Sequence, residues 1–129
     1  MIDLYVFMHE FSEKHKFAVF LKEFRALTTS HLPIGHSFIP FDILISVYVS
    51  WLDKESLPIK TLFASLPYSD MGIRYHFNKL VANHWILLNT DPKDLRVKVC
   101  TPSAKLLTKM DSIFGDFKRL IVLANIKNL

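Results

Sequence analysis

The chain has 129 residues, half of them hydrophobic and 22% charged, which suits one compact domain or a small domain with an extra arm and excludes a multidomain enzyme. Three Gly and six Pro exclude collagen-like or linker-rich architecture, and the formal charge of +4 permits a polyanionic partner. The single cysteine, Cys100, excludes an intrachain disulfide or multi-cysteine metal framework and points to a reducing compartment.

No apolar run reaches the roughly 18 residues a membrane span requires, since Asp53 and Lys54 close the longest one. Asp3 stands where a signal peptide would carry positive charge, so the expected location is the cytoplasm, with no membrane partner. Eleven Phe are many for so small an interior, and part of that aromatic surface is expected to meet another subunit.

From Asp3 to Thr28 there is no Gly or Pro. Leu4, Phe7, Met8, Phe11, Phe17, Phe20, Leu21, Phe24 and Leu27 recur at helical spacing, for one long helix or two. Thr29–Pro40, with two Pro and Gly35, reads as a loop. Pro40 and Phe41 open a helix carrying Ile43, Leu44, Val47, Tyr48, Trp51 and Leu52. Pro58 suits the first turn of a short helix over Ile59–Leu66, which Pro67 ends. Ser69 or Asp70 caps a fourth helix with Ile73, Phe77, Leu80 and Val81 on its inner face.

The period then changes. Trp85–Asn89 and Arg96–Thr101 are short β-type runs around a turn at Thr90–Leu95, and together they read as a hairpin. Pro102 or Ser103 starts a last helix with Leu106, Leu107, Met110, Ile113, Phe114, Phe117, Leu120, Ile121, Leu123 and Ala124 on its apolar sides and Gly115 as its weak point. The expected class is mainly α: a winged helix-turn-helix, with a three-helix core and a two-stranded β wing, flanked by long terminal helices. The expected division is 1–39 for the N-terminal helix and loop, 40–101 for the winged helix-turn-helix and 102–129 for the C-terminal helix, all in one domain.

A helix-turn-helix requires a second helix whose inner face packs while its outer N-terminal face stays free for base edges. With Ile73, Phe77 and Leu80 inward, the outward positions are Met71, Gly72, Arg74, Tyr75 and Asn78, with Ser69 at the cap and Lys79 alongside. Arg suits guanine and Asn suits adenine in the major groove, and Tyr or Lys suits phosphate. A merely solvated helix face carries the same residue types, and the neighbouring hairpin favours the functional reading.

The hairpin from Trp85 to Ala104 resembles the wing of the multiple-antibiotic-resistance regulator (MarR) family of bacterial transcription factors. The family's Asp-x-x-Asp-x-Arg wing turn is met by Asp91, Asp94 and Arg96, and its Leu-Thr-Pro exit by Cys100, Thr101 and Pro102. The resemblance runs from about Phe41 to Leu107. It implies a homodimeric regulator, a repressor by expectation, that binds double-stranded DNA with recognition helices in successive major grooves and wing tips near the flanking minor grooves. Arg74, Tyr75 and Asn78 then read or brace the major groove, and Lys93 approaches the minor groove. Asp94 and Arg96 are close enough in sequence to pair within the wing, which makes Arg96 a shaping residue as much as a DNA contact. Two departures stand out. Asn83 and His84 occupy the turn where many relatives place Gly, with Asn83 the residue expected to tolerate a left-handed cap. Leu95 stands where a basic residue is common and lowers the expected phosphate attraction.

Other chemistries fare worse. His9, Glu10, Glu13 and His15 look like a metal or protease motif, but Glu13 occupies the position of the zincin's second His, and His9 with Glu13 does not close a zinc site. His31 and His36 are separated loop histidines. No metal site, cofactor or catalytic residue is expected, because phosphate loop, nucleophile elbow and paired-carboxylate signatures are all missing, and the chain is read as a non-enzyme. Cys100 has only Lys98 as a basic neighbour and is expected to be an inert thiol, whereas the family's thiol sensors carry their cysteine near the N-terminal helix. Phe7, Phe11, Phe17, Phe20, Phe24, Phe114 and Phe117 suit either core and dimer packing or a pocket for a small aromatic effector. Two alternatives to a transcription regulator remain: a winged-helix protein-interaction module, and a replication or mobile-element accessory DNA-binding protein.

The positive charge is unevenly placed. Residues 57–101 carry 6 Lys and Arg against 3 Asp and Glu, residues 102–129 carry 5 against 2, and residues 1–56 carry 5 against 7.

Overall fold

A computed structural model describes residues 3–124; the last five residues of the expected C-terminal segment, and the side chains of Phe7 and Ala124, lie outside the described set. The order is α1 (Leu4–His31), α2 (Phe38–Leu52), α3 (Ile59–Ser65), α4 (Asp70–Ala82), β1 (Ile86–Asp91), β2 (Asp94–Pro102) and α5 (Ala104–Ala124). The described residues divide into two compact units. One is residues 32–110; the other combines α1 up to His31 with the part of α5 from Asp111 onward.

The first of these holds the winged helix-turn-helix. Its fully buried side chains are Ile43, Leu44 and Val47 of α2, Leu62 of α3, Ile73 of α4, Ile86 of β1 and Leu106 of α5. Four helices and β1 therefore share one core, which is what makes seven-residue α3 viable despite being too short to stand alone. Helix α2 begins two residues earlier than its proline suggests. Ser37 caps it, its hydroxyl accepting from the Ile39 N–H at 3.2 Å. Pro40 then falls in the first turn, where a backbone N–H has no intrahelical acceptor to lose. The loop is correspondingly only residues 32–37, with Gly35 at a φ of 54°.

The end of α4 corrects the expected cap. Asn83 stays at a φ of −94°, and His84 takes the left-handed conformation at a φ of 61°. The N–H of His84 bonds Val81 O at 3.1 Å and that of Trp85 bonds Leu80 O at 2.9 Å, the paired Schellman bonds that satisfy the last carbonyls. Asn83 instead uses its side-chain amide to bond Lys79 O at 2.9 Å. Lys105 of α5 donates to Asn83 O at 2.8 Å with its ammonium 4.3 Å from the Trp85 ring centroid, which fastens the helix end and the hairpin entry to α5. A β-carbon is unwelcome at such a φ, so His84→Gly is expected to raise stability by roughly 0.5–1 kcal/mol, the strain relieved less the glycine's extra chain entropy. Urea unfolding of the two proteins checks it.

The wing is a two-stranded antiparallel sheet with Ile86 opposite Pro102, Leu88 opposite Cys100 and Thr90 opposite Lys98. It reaches further than the sequence indicates. Asp91 pairs with Asp94, leaving a two-residue turn at Pro92 and Lys93 where a six-residue turn is expected, with a register irregularity between Thr90 and Asp91. At its base the hairpin is tied back by a bridge between Pro58 and Val99 and by the Cys100 N–H bonding Leu57 O at 2.8 Å. Cys100 is buried, and desolvation pushes its thiol up to about 12, so it stays protonated and unreactive at neutral pH. Ser103 caps α5, its hydroxyl accepting from the Leu106 N–H at 3.1 Å.

In the other unit α1 is one continuous helix of 28 residues. Its lower half meets α5 through Phe20, Phe24 and Phe117, with Phe117 edge-on to both partners at centroid separations of 5.9 and 5.5 Å. These rings pack against one another. His31 Nε2 lies 3.3 Å from Asp116 Oδ2, and Asp116 also pairs with Arg119. The upper half of α1 is different. Leu4, Tyr5, Val6, Met8, Phe11 and Phe17 are exposed there, as are Val19 and Leu21 further along and Phe114, Val122 and Leu123 of α5. His9 and Glu13 form an exposed i,i+4 pair at 3.1 Å. Among the described residues no group of three or more metal-ligating side chains is found, and no helix is long and apolar enough to cross a membrane.

Candidate nucleic-acid interface

The candidate surface lies on α4 and the hairpin. Ser69 begins α4 in an extended conformation, and its hydroxyl accepts from the Gly72 N–H at 3.1 Å. A β-carbon at residue 72 would sit 3.0 Å from that hydroxyl and 3.3 Å from Ile39 Cδ1, so the glycine lets α4 begin close against α2. Ser69 and Gly72 thus have capping and packing tasks of their own. The preceding turn is held from a second side: Tyr68 donates its hydroxyl to the Asp42 carboxylate of α2, and that bond raises the phenol above its ordinary range.

Ile73, Phe77 and Leu80 are buried, and Phe77 meets Phe63 of α3 edge-on at 5.2 Å. Because these three face inward, Met71, Arg74, Tyr75, Asn78 and Lys79 are left exposed, Met71 at 82% and Tyr75 at 62%. The exposed row is not slack. Arg74 Nη2 lies 3.3 Å from Asp70 Oδ2, one turn back, with its guanidinium 5.5 Å from the Phe63 ring centroid. Lys79 Nζ lies 6.0 Å from the Tyr75 ring centroid. Asp70 and Phe63 are the residues that sequence reasoning passed over. The i,i+4 spacing of Asp70 and Arg74 was the available signal; the approach of Phe63 depends on how α3 packs on α4.

On the hairpin, Lys93 is at the turn, its N–H donating to Asp91 Oδ1 at 2.8 Å. Asp94 and Arg96 pair within the wing: Arg96 Nε and backbone N–H both donate to Asp94 Oδ1 at 3.1 Å, and Nη2 donates to Oδ2 at 3.3 Å. Those side-chain bonds, then the backbone one, hold the Asp94 carboxyl below its ordinary range. Lys98 donates to Thr90 Oγ1 across the strands at 3.1 Å. Between the hairpin and the helices lies an open cleft of about 710 Å³, with Phe63 and Val97 among its apolar walls and Lys60, Arg74, Arg96 and Lys98 around it. The structure thus gathers Arg74 and Arg96 on one cleft, while Lys93 sits at the hairpin turn and Asn78 further along α4.

No family model and no curated protein matches the chain. Solved structures do. The YusO protein from Bacillus subtilis superposes with a TM-score of 0.65 over 99% of this chain and 86% of that one, at 15% sequence identity. Staphylococcus aureus MepR bound to ethidium bromide gives 0.61 over 84% and 79%, at 18% identity. AbsC, a MarR family transcriptional regulator from Streptomyces coelicolor, gives 0.55 over 100% and 84%, at 11% identity. At such identities the shared property is the path of the backbone, and it extends through both terminal helices as well as the wing. The chain therefore has the MarR-like winged-helix fold.

Proposed function

We propose that this protein is a bacterial, cytoplasmic transcriptional regulator, a repressor, that binds double-stranded DNA as a homodimer, with α4 in the major groove and the wing near the minor groove. The observation that carries the reading is the exposed row Met71, Arg74, Tyr75, Asn78 and Lys79 on a helix whose other face is anchored in the core, next to a projecting hairpin. That row supplies a guanine reader, an adenine reader and phosphate partners on one accessible face. Ser69, Gly72 and Lys93 border it, and Arg96 acts chiefly by shaping the wing through Asp94. Dimerisation is supported by the exposed apolar side chains of α1 and α5, a larger display than an isolated chain ordinarily leaves in water.

A small aromatic effector belongs to the same reading. The likeness to ethidium-bound MepR supports it, and the cleft offers an aromatic wall at Phe63 with the Asp70 carboxylate among the charged groups that line it. No chemistry beyond binding is proposed, and the chain acts without a cofactor. Selection of bound sequences from random duplex DNA tests the function. Recovery of a two-fold site, with retention that falls steeply between low and high salt, is the expected result. Absence of any salt-dependent retention overturns the proposal.

A further inference from the structure

The hairpin tip is chemically unusual for a surface meant to approach a polyanion. Of its charged groups, Arg96 rests on Asp94 through the two side-chain bonds described above while its own side chain stays 91% exposed, and the Asp91 carboxylate accepts from the Lys93 N–H. Lys98 is turned onto Thr90. Beside that exposed pair, the end presents Pro92, the ammonium of Lys93 and the side chain of Leu95, which is 77% exposed. Leu95 is not a stray surface residue. It lies in the stretch 95–97 that has no partner on β1, between the pairs Thr90–Lys98 and Asp91–Asp94, so the strand bulges there and carries this side chain into water while Val97 stays on the cleft wall.

We infer that Leu95 is an apolar minor-groove contact: the wing engages the flanking DNA by seating this leucine against the groove floor and sugars, with Lys93 beside it on phosphate. The inference rests on the proposed DNA binding and deepens it. The minor groove is about 6 Å wide, too narrow for two strands some 4.8 Å apart with their side chains but wide enough for single side chains at the end of the hairpin. Leucine is among the side chains that proteins insert there. Leu95 sits between the two members of the Asp94–Arg96 fork, whose bonds hold the backbone on either side of it, so less ordering remains to be done at binding. A leucine at this point reads the groove differently from a cation. It favours A·T flanks, because the guanine 2-amino group fills the floor of a G·C flank, and it contributes nothing to the release of counterions.

The experiment uses the full chain and a duplex recovered from random DNA, with the flanking A·T pairs replaced by I·C or by G·C. Inosine keeps the A·T-like minor groove, and guanine adds the amino group. Wild-type protein is expected to bind the A·T and I·C duplexes alike and the G·C duplex several-fold more weakly. Leu95→Ala is expected to bind the A·T duplex roughly tenfold more weakly, in proportion to the apolar burial lost, with an unchanged salt slope and no remaining penalty for G·C. Leu95→Arg is expected to steepen the salt slope by about 0.9 for each phosphate gained. If Leu95→Ala binds like wild type, or keeps the G·C penalty, the inference is overturned while DNA binding stands. If wild-type protein retains no duplex, both fall together.

Discussion

Arg74→Ala is expected to weaken binding to the selected duplex by about 1–3 kcal/mol per half-site and to relax the preference at one base pair. The expectation follows from how weakly Arg74 is held in the free protein. In the free protein the guanidinium is parked on Asp70 at 3.3 Å and over Phe63, with both carboxylate and guanidinium largely in water. An exposed pair at i,i+4 is worth only about 0.3–0.5 kcal/mol, so a bidentate guanine contact outweighs it and the side chain leaves its parking place on binding. The parking has its own use, because it keeps the arginine extended near the start of α4 rather than folded onto solvent. Asp70→Ala is therefore expected to change affinity far less than Arg74→Ala. Fluorescence anisotropy with the selected duplex and with variants at each position measures both. A Lys79→Ala protein supplies the contrast: it should lose affinity for all sequences equally and shed about one from the salt slope. If Arg74→Ala weakens every sequence equally, the arginine is a phosphate contact and the assignment of a guanine reader is wrong.

The second large effect is expected from Phe11 and Phe17. Both lie exposed on α1, Phe11 at 62% and Phe17 at 49%, within a run that also exposes Tyr5, Met8, Val19 and Leu21. Burying one such ring at an interface is worth about 1.5–3 kcal/mol, and placing a carboxylate there instead adds the cost of an unpaired buried charge. The double substitution Phe11→Glu and Phe17→Glu is expected to turn a dimer into a monomer at micromolar concentration, seen by analytical ultracentrifugation. The winged-helix core should survive, since its fully buried side chains all lie between Ile43 and Leu106. Affinity for a two-fold site is then expected to drop at least about 100-fold, because each half-site must be bound without the tether that makes the second contact intramolecular. A substituted protein that stays dimeric, or a wild-type protein that is monomeric at the same concentration, contradicts the dimer.

Most of the fold was legible in the chain because the signals were local. Apolar residues at helical spacing located the helices, Pro58 and Pro67 bracketed α3, Ser69 announced α4, and the change of period at Trp85 announced the hairpin. The Asp94–Arg96 pair was legible too, since two residues on one short turn have few other partners. The misplacements arose where a boundary depended on a single hydrogen bond. Ser37 moved the start of α2 ahead of Pro40, and the wing ladder continued through Thr90 because strand pairing, once begun, outweighs the turn tendency of isolated residues. His84 rather than Asn83 took the left-handed position because the cap is set by which carbonyls the next N–H groups reach.

What the sequence determined by itself, then, was the order of elements, the inner face of α4 and the residues left on its outer face, since periodicity decides which side of a helix is buried. Tertiary structure decided what lies against those residues, Arg74 over Phe63 and Gly72 beside Ile39, and it decided that Leu95 stands exposed where the hairpin ladder breaks. Those facts depend on distances between elements far apart in the chain. Periodicity assigns a residue to a face, and only packing brings two faces together.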